Sequence, residues 1–366
     1  MRIGLVTSHL EIGGIPRHVV TLSRALVRRG HAVTVVSGGG VLVGELGQAG
    51  IVYRGMPLRT KSEVHPKLLA AVLALRRIVR QDGIDLLHAH TRVAQVVAAA
   101  VSAATGVPFV TTCHGFYRLR LGRRLVPCWG RRVIAISGAV RRWLLAAGVP
   151  DDRIVTVLNG IDVEPGSWIV DEGALAQFRQ AAGLDSGPVV GIVGRVVQVK
   201  GHRWLLEAFA RVASEITEAQ LLVVGDGPDR PTLEQMAAAM GLSRRVRCVA
   251  SVPDVRIALA AMDVVAVPSL WEEPFGLVVV EAMAAGRAVV ASNAGGIPEI
   301  IRDGETGVLV ERGDTAGLIA ALGRLLRDDA CRSRLAEAGR QAAVERFSSG
   351  RMAAEVEAVY CAVATR

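Results

Sequence analysis

Short apolar runs alternate with longer helical stretches along the whole chain, and this alternation constrains the fold more than any other feature. Residues 2–8 form the first run. Leu10-Glu11-Ile12-Gly13-Gly14 is a glycine turn, Val19 to Gly30 has the spacing of an amphipathic helix stopped by Gly30, and His31-Ala-Val-Thr-Val-Val-Ser is the next run. Strand, helix and strand in that order make a βαβ unit, so the sheet is parallel and ligands belong at the carboxyl ends of its strands. Gly13-Gly14 is either a tight turn or a place where backbone approaches a phosphate.

The pattern continues. Leu68 to Arg80 reads as a helix and Asp85-Leu-Leu-His-Ala-His as a strand ending at His88 and His90. Ala94 to Thr105 is a helix of small residues, and Pro108-Phe-Val-Thr-Thr-Cys is a strand ending at His114-Gly115. His114 therefore stands in a carboxyl-end loop, as a reacting group or as a histidine bonded to backbone. Arg132 to Ser137 reads as a strand, with Ser137 placed to cap a helix over residues 138–147. Ile154 to Asp162 closes this half. Pro165 and Gly166 interrupt the periodicity between Glu164 and Val170, where a linker is expected. A helix over 171–183 follows, then strands from Pro188 and at 220–224, 246–249, 263–267, 288–292 and 308–310, with a last helix from Phe347 to Thr365. The chain has 366 residues, 51% of them hydrophobic, enough for two domains of ordinary size. The expected division is 1–165, 166–346 and a C-terminal helix over 347–366, with no internal repeat: two Rossmann-like doubly wound α/β domains.

Composition narrows the setting. No apolar stretch is long enough for a transmembrane helix, and the N-terminus turns polar too soon for a signal peptide. The five cysteines show no Cys-x-x-Cys spacing, so neither a zinc site nor a disulfide framework is read from them. A cytoplasmic location is expected. Charge is uneven: up to residue 165 there are 22 Lys and Arg against 9 Asp and Glu, a balance of +13, while the remainder balances at −4. Eight arginines and no acid lie between His114 and Arg142. This segment either attracts an anionic partner, such as anionic lipid, a phosphorylated glycan or nucleic acid, or is a solvated surface in a chain with 40 Arg and 3 Lys.

Residues 271–286, Trp-Glu-Glu-Pro-Phe-Gly-Leu-Val-Val-Val-Glu-Ala-Met-Ala-Ala-Gly, carry the strongest chemical signal. Pro274 suits a helix entry, Gly276 to Ala285 reads as the helix, and Gly286 ends it. Amides free at the helix start favour an anion, and Glu273 competes for that space. Glu281 lies among apolar neighbours, where a carboxylate needs a hydrogen-bond donor. A capped, half-buried helix is the bland alternative.

Glu273, seven residues, then Glu281, within Glu-Pro-Phe-Gly-Leu and Ala-Met-Ala-Ala-Gly, resembles the Glu-x7-Glu motif of retaining glycosyltransferases of family 4, which have the GT-B fold. The likeness extends in order through Gly13-Gly14, Gly30-His31, His88-Ala-His90, His114-Gly115, Asn159-Gly160-Ile161-Asp162, Gly194-Arg195 to Lys200-Gly201, Gly225-Asp226-Gly227-Pro228 and Gly295-Gly296-Ile297-Pro298-Glu299. It implies two domains facing across a cleft, with the C-terminal helix returning to the N-terminal domain. It also implies a retaining, metal-independent transfer from a nucleotide-diphosphate sugar, with UDP-sugar preferred over GDP- or ADP-sugar, to a glycan or lipid-linked acceptor of envelope polysaccharide or lipopolysaccharide. No cofactor and no nucleic acid are implied, and contact with the inner face of the membrane through the basic half is.

The resemblance also implies roles. Arg195 and Lys200 resemble the diphosphate-binding pair, helped by amides near Gly276 and Leu277. Glu281 resembles the glutamate that binds the ribose hydroxyls, and Glu273 the one that holds the donor sugar. Gly14 is expected near the diphosphate, Val249 near the base and His114 near the transferred sugar and acceptor. Cys248-Val249-Ala250 departs from the Phe-Leu-Gly common in relatives, which puts the choice of base in doubt. Two rivals remain: a sugar-nucleotide 2-epimerase, which lacks this Glu-Pro-Phe-Gly-Leu helix, and a non-catalytic nucleotide or nucleic-acid binder, which leaves both glutamates without purpose.

Overall fold

A computed structural model describes residues 1–60, 62–63, 65–117 and 127–364. Arg118, Arg120, Arg123 and Arg124 of the basic segment lie outside the described residues. The chain forms two compact units, Met1–Asp162 with Ser348–Arg366, and Val163–Phe347.

The first unit is built on seven strands: Arg2–Val6 (β1), Ala32–Ser37 (β2), Val52–Gly55 (β3), Leu86–Ala89 (β4), Phe109–Cys113 (β5), Val133–Ala135 (β6) and Ile154–Thr156 (β7). Their order is β3-β2-β1-β4-β5-β6-β7, and every pairing is parallel. The helices of this half are Gly14–Arg28 (α1), Val43–Gly47 (α2), Lys67–Gln81 (α3), Arg92–Thr105 (α4) and Gly138–Ala146 (α5). As the sequence indicates, Ser137 caps α5, its hydroxyl accepting from the Val140 amide at 3.1 Å. The helix after the first strand begins earlier than its apolar pattern shows. Gly14 opens it, and Pro16 near its start fits a turn whose amides have no helical acceptor.

The second unit repeats the plan with Val189–Val193 (β8), Gln220–Val224 (β9), Val246–Val249 (β10), Val264–Val267 (β11), Ala288–Ser292 (β12) and Val308–Val310 (β13). These run parallel in the order β10-β9-β8-β11-β12-β13. Its helices are Glu172–Ala181 (α6), His202–Glu215 (α7), Arg230–Ala239 (α8), Val255–Ala260 (α9), Leu277–Ala284 (α10), Thr315–Arg327 (α11) and Asp329–Arg346 (α12).

Strand order reverses between β1 and β4 in one sheet and between β8 and β11 in the other. Sheets of this type bind ligands beyond the carboxyl ends of the strands at such a reversal. Gly13-Gly14 and His90 follow β1 and β4, while Arg195 to Lys200 and Ser269 to Glu273 follow β8 and β11.

The last helix, Ser349–Ala364 (α13), packs into the first unit. Met352, Val356, Val359, Tyr360 and Val363 are buried in one core with Ile3, Leu5, Leu22 and Leu26. His88 was expected near a strand's end. It lies instead inside β4, fully buried, because its nitrogens find partners in the core: Nδ1 is 2.6 Å from Tyr360 Oη and Nε2 is 2.7 Å from Thr112 Oγ1. Tyr360→Phe is expected to leave one ring nitrogen buried without a partner and to cost about 1–3 kcal/mol of stability. Denaturant unfolding reads this directly; an unmoved midpoint would show that His88 does not depend on the tyrosine.

Candidate active site

In the second unit a glycine brings two loops together. The backbone after β8 is extended at Val197, makes a short 3-10 turn over Gln198–Lys200 and reverses at Gly201, whose φ is 75°. A Cβ there would stand 1.9 Å from the Pro268 carbonyl oxygen, so only glycine fits. The Leu270 amide then donates to the Val199 carbonyl at 2.9 Å. These contacts place Lys200 against the loop that follows β11.

Glu273 is at the centre of that loop and is buried at 5% exposure. Its Oε1 accepts from Lys200 Nζ at 2.5 Å, Ser269 Oγ at 2.5 Å and Trp271 Nε1 at 3.3 Å. A carboxylate this enclosed is costly to bury without such donors. Its backbone is held by the Gly295-Gly296 turn. The Gly296 amide donates to the Glu273 carbonyl at 2.7 Å, and a Cβ on Gly295 would come within 2.0 Å of the same oxygen. The neighbouring Glu272 is exposed and pairs with Arg312 at 2.9 Å.

Two expectations are corrected here. Glu273 does not compete for the helix start: its carboxylate is turned to Lys200, Ser269 and Trp271. Pro274 does not open the helix either. That helix begins at Leu277 behind Gly276, whose φ of 107° marks the turn, and it has no side-chain cap. The amides at its start are therefore available to an anion. Glu281 sits one turn further along, partly buried. Arg195 and Lys200 were read as one pair, but they differ in state: Lys200 is engaged by Glu273, while Arg195 is exposed and has no hydrogen-bond or ion-pair partner among the described residues. Val249 ends β10, its carbonyl accepting from the Gly225 amide at 2.9 Å. Burial pushes the adjacent Cys248 thiol up to about 11, which leaves it a poor nucleophile at neutral pH.

In the first unit the carboxyl-end loops gather histidines. His90 follows β4, His114 follows β5, and His18 projects from the first turns of α1, four residues after Gly14. His90 Nδ1 lies 3.2 Å from His114 Nε2, and the His18 and His114 rings are 4.7 Å apart. Burial lowers the His18 pKa to about 4 and holds His90 and His114 well below the ordinary imidazole range. The cluster is thus neutral at pH 7. His18 went unnoticed in the sequence, where it looks like one polar residue on an amphipathic helix; its spacing from Gly14 was the available signal.

The arginine segment is partly structural. Arg131 donates to the Val363 carbonyl at 3.0 Å, and Arg141 binds the Ile154 carbonyl and the Asp151 carboxylate. The side chains of Arg132 and Arg142 have no hydrogen-bond or ion-pair partner among the described residues.

Comparison with known proteins agrees with this arrangement. Residues 12–165 match the family model for Glycosyltransferase Family 4, and residues 187–328 match that for Glycosyl transferases group 1. The phosphatidyl-myo-inositol mannosyltransferase of Mycobacterium leprae is 32% identical over 100% of this chain and 98% of its own. The D-inositol 3-phosphate glycosyltransferase of Frankia alni is 33% identical, covering 89% of each chain. Among solved structures, Anabaena HepE in complex with UDP and glucose superposes with a TM-score of 0.87 and 24% identity, covering 99% of this chain and 100% of that one. Two parallel α/β units with the glutamate-bearing loop and helix define a sugar-transferring enzyme of the GT-B fold. The chain belongs to glycosyltransferase family 4, and it is a glycosyltransferase.

Among the described residues no helix is long and apolar enough to cross a membrane.

Proposed function

We propose that the chain is a retaining glycosyltransferase that moves a sugar from a nucleotide-diphosphate donor, with UDP the preferred nucleotide, to a glycan or lipid-linked acceptor in envelope polysaccharide or glycolipid assembly. The observation that carries this reading is the buried Glu273 carboxylate held by Lys200, Ser269 and Trp271. The relatives' names point the same way: one transfers mannose to a phosphatidylinositol, and HepE was solved with UDP.

The donor leaves as a diphosphate, so the barrier lies in the negative charge that builds there. Lys200, Arg195 and the amides at Gly276 and Leu277 are assigned to that charge, with Gly14 as a further backbone contact and Val249 beside the base. Glu281 is assigned to the ribose hydroxyls. Glu273 is assigned to the hydroxyls of the donor sugar and His114 to the transferred sugar and the acceptor. With three donors already on its Oε1, Glu273 is a weak nucleophile. Same-face attack, with the leaving phosphate taking the acceptor's proton, suits this site better than a covalent intermediate. The positive charge for the leaving group is supplied by side chains and amides, and the transfer is assigned no metal.

A panel of UDP-, GDP- and ADP-sugars, read by donor hydrolysis and by protection against thermal unfolding, tests the donor. NMR of the product's anomeric centre tests retention, and turnover after chelation tests metal independence. An inverted product, turnover lost on chelation, or epimerisation without acceptor would overturn the corresponding part. Glu281→Gln is expected to raise the donor KM with little change in kcat, because ribose is held alike in the ground and transition states. A fall in kcat at unchanged KM would remove Glu281 from the ribose.

The N-terminal basic segment is assigned to an anionic membrane surface on the inner face of the plasma membrane. Each well-placed arginine contributes on the order of 1 kcal/mol there. Binding to anionic vesicles is expected to fall as salt rises, and neutral vesicles are expected to bind poorly. Binding that ignores salt would return these arginines to a solvated surface.

A further inference from the structure

We propose that His18, His90 and His114 form a binding site for one borderline-soft divalent transition-metal ion, zinc being the best fit. Each imidazole offers a nitrogen, and the three nitrogens lie within 4.8 Å of one another. The ligands come from three separate elements: α1 and the loops after β4 and β5. Those two loops leave neighbouring strands at the same end of the sheet, and α1 starts just beyond the strand beside them, so the backbone holds the set together.

The chemistry of the cluster suits a metal. Four-coordinate zinc with Zn–N bonds of about 2.0–2.1 Å places its ligand atoms about 3.3–3.4 Å apart. His90 Nδ1 and His114 Nε2 already stand 3.2 Å apart. Both nitrogens of His18, and Nε2 of His90, are buried with no hydrogen-bond partner. Buried polar nitrogens seldom stay unpartnered, and one ion would take one of the two on His18. His88 stacks on His90 with ring centroids 4.0 Å apart, its own nitrogens taken by Tyr360 and Thr112, so it supports the set without joining it. His114 is the partly exposed member. Three nitrogens leave a fourth position for water.

The consequence for catalysis rests on the assignment of His114 to the transferred sugar made above. An ion that ligates this ring withdraws it from that role, so the site would be inhibitory.

Untagged protein, stripped with a chelator and titrated with Co²⁺, is expected to develop visible d–d absorption that saturates at one ion per chain. X-ray absorption of the zinc-loaded wild type is expected to show three imidazole nitrogens. His18→Asn and His90→Asn are each expected to weaken binding by at least about tenfold, no less than the loss of an outer partner in known sites. His65→Ala, outside the cluster, is expected to titrate as the wild type does. No saturable binding, fewer than three imidazoles in the wild type, or unchanged titrations in both variants would overturn the site. Donor turnover is expected to fall as the ion saturates. Full occupancy with undiminished transfer would uphold the metal site and remove His114 from the sugar.

Discussion

Lys200→Ala is expected to lower kcat by about 10²–10³ with the fold intact, the usual loss for one preorganised donor to a developing charge. Lys200 is one of 3 lysines in a chain with 40 arginines, so an ammonium at this position has a specific use. It is a compact point charge and can sit against one phosphate oxygen, whereas Arg195 can grip two. The structure sharpens the expectation. Lys200 is already drawn to Glu273, which aims its ammonium before any donor arrives. Removing it leaves Ser269 and Trp271 on the carboxylate, so Glu273 keeps partners and the melting temperature should move little. Lys200→Arg should recover only part of the activity, since the guanidinium is wider. A role limited to neutralising Glu273 would show in a double-mutant cycle: Lys200→Ala combined with Glu273→Gln would lose no more than the worse single change. Steady-state kinetics within about threefold of wild type for Lys200→Ala would sink the assignment.

Glu273→Gln is expected to lower kcat by about 10²-fold while the donor KM changes little. Glutamine has the same shape and keeps an acceptor oxygen, and Gly295 and Gly296 contact only backbone here, so the loop survives. What is lost is charge, and a charge near the sugar matters most as the glycosidic bond breaks and the ring becomes electron-poor. Single-turnover measurements with saturating donor isolate this step. A variant that changes KM alone would move Glu273 from the sugar to general donor binding.

Much of this was legible in the sequence, for identifiable reasons. Strands of a parallel sheet covered by helices are written largely as apolar runs, so 220–224, 246–249, 288–292 and 308–310 match the observed strands to the residue. Val52–Gly55 escaped because it is a short edge strand with all four of its residues exposed or half-exposed and an arginine within it. The start of α1 escaped because Gly14 and Pro16 resemble a turn. The Glu-x7-Glu segment declared its importance but not its contacts. Lys200 and Glu273 are far apart in sequence, and the close approach of Gly201 to Pro268, with the Leu270–Val199 hydrogen bond, joins them. The same holds for His88 and Tyr360, and for the meeting of His18 with His90 and His114. Periodicity reports which face of an element is buried; it is silent on which distant side chain waits there.

The first unit is made of two stretches of chain, and this bears on how the protein is assembled as it is synthesised. Residues 163–347 are contiguous and can close their own core once they have left the ribosome. Met1–Asp162 emerges earlier but lacks the helix that supplies Met352, Val356 and Tyr360 to its core. Until that helix is translated, Leu22 and Leu26 remain uncovered on one side and His88 lacks the tyrosine hydroxyl. The nascent first half must therefore wait, partly open, while the second half is made, and it is during that interval that a chaperone would find apolar surface to hold.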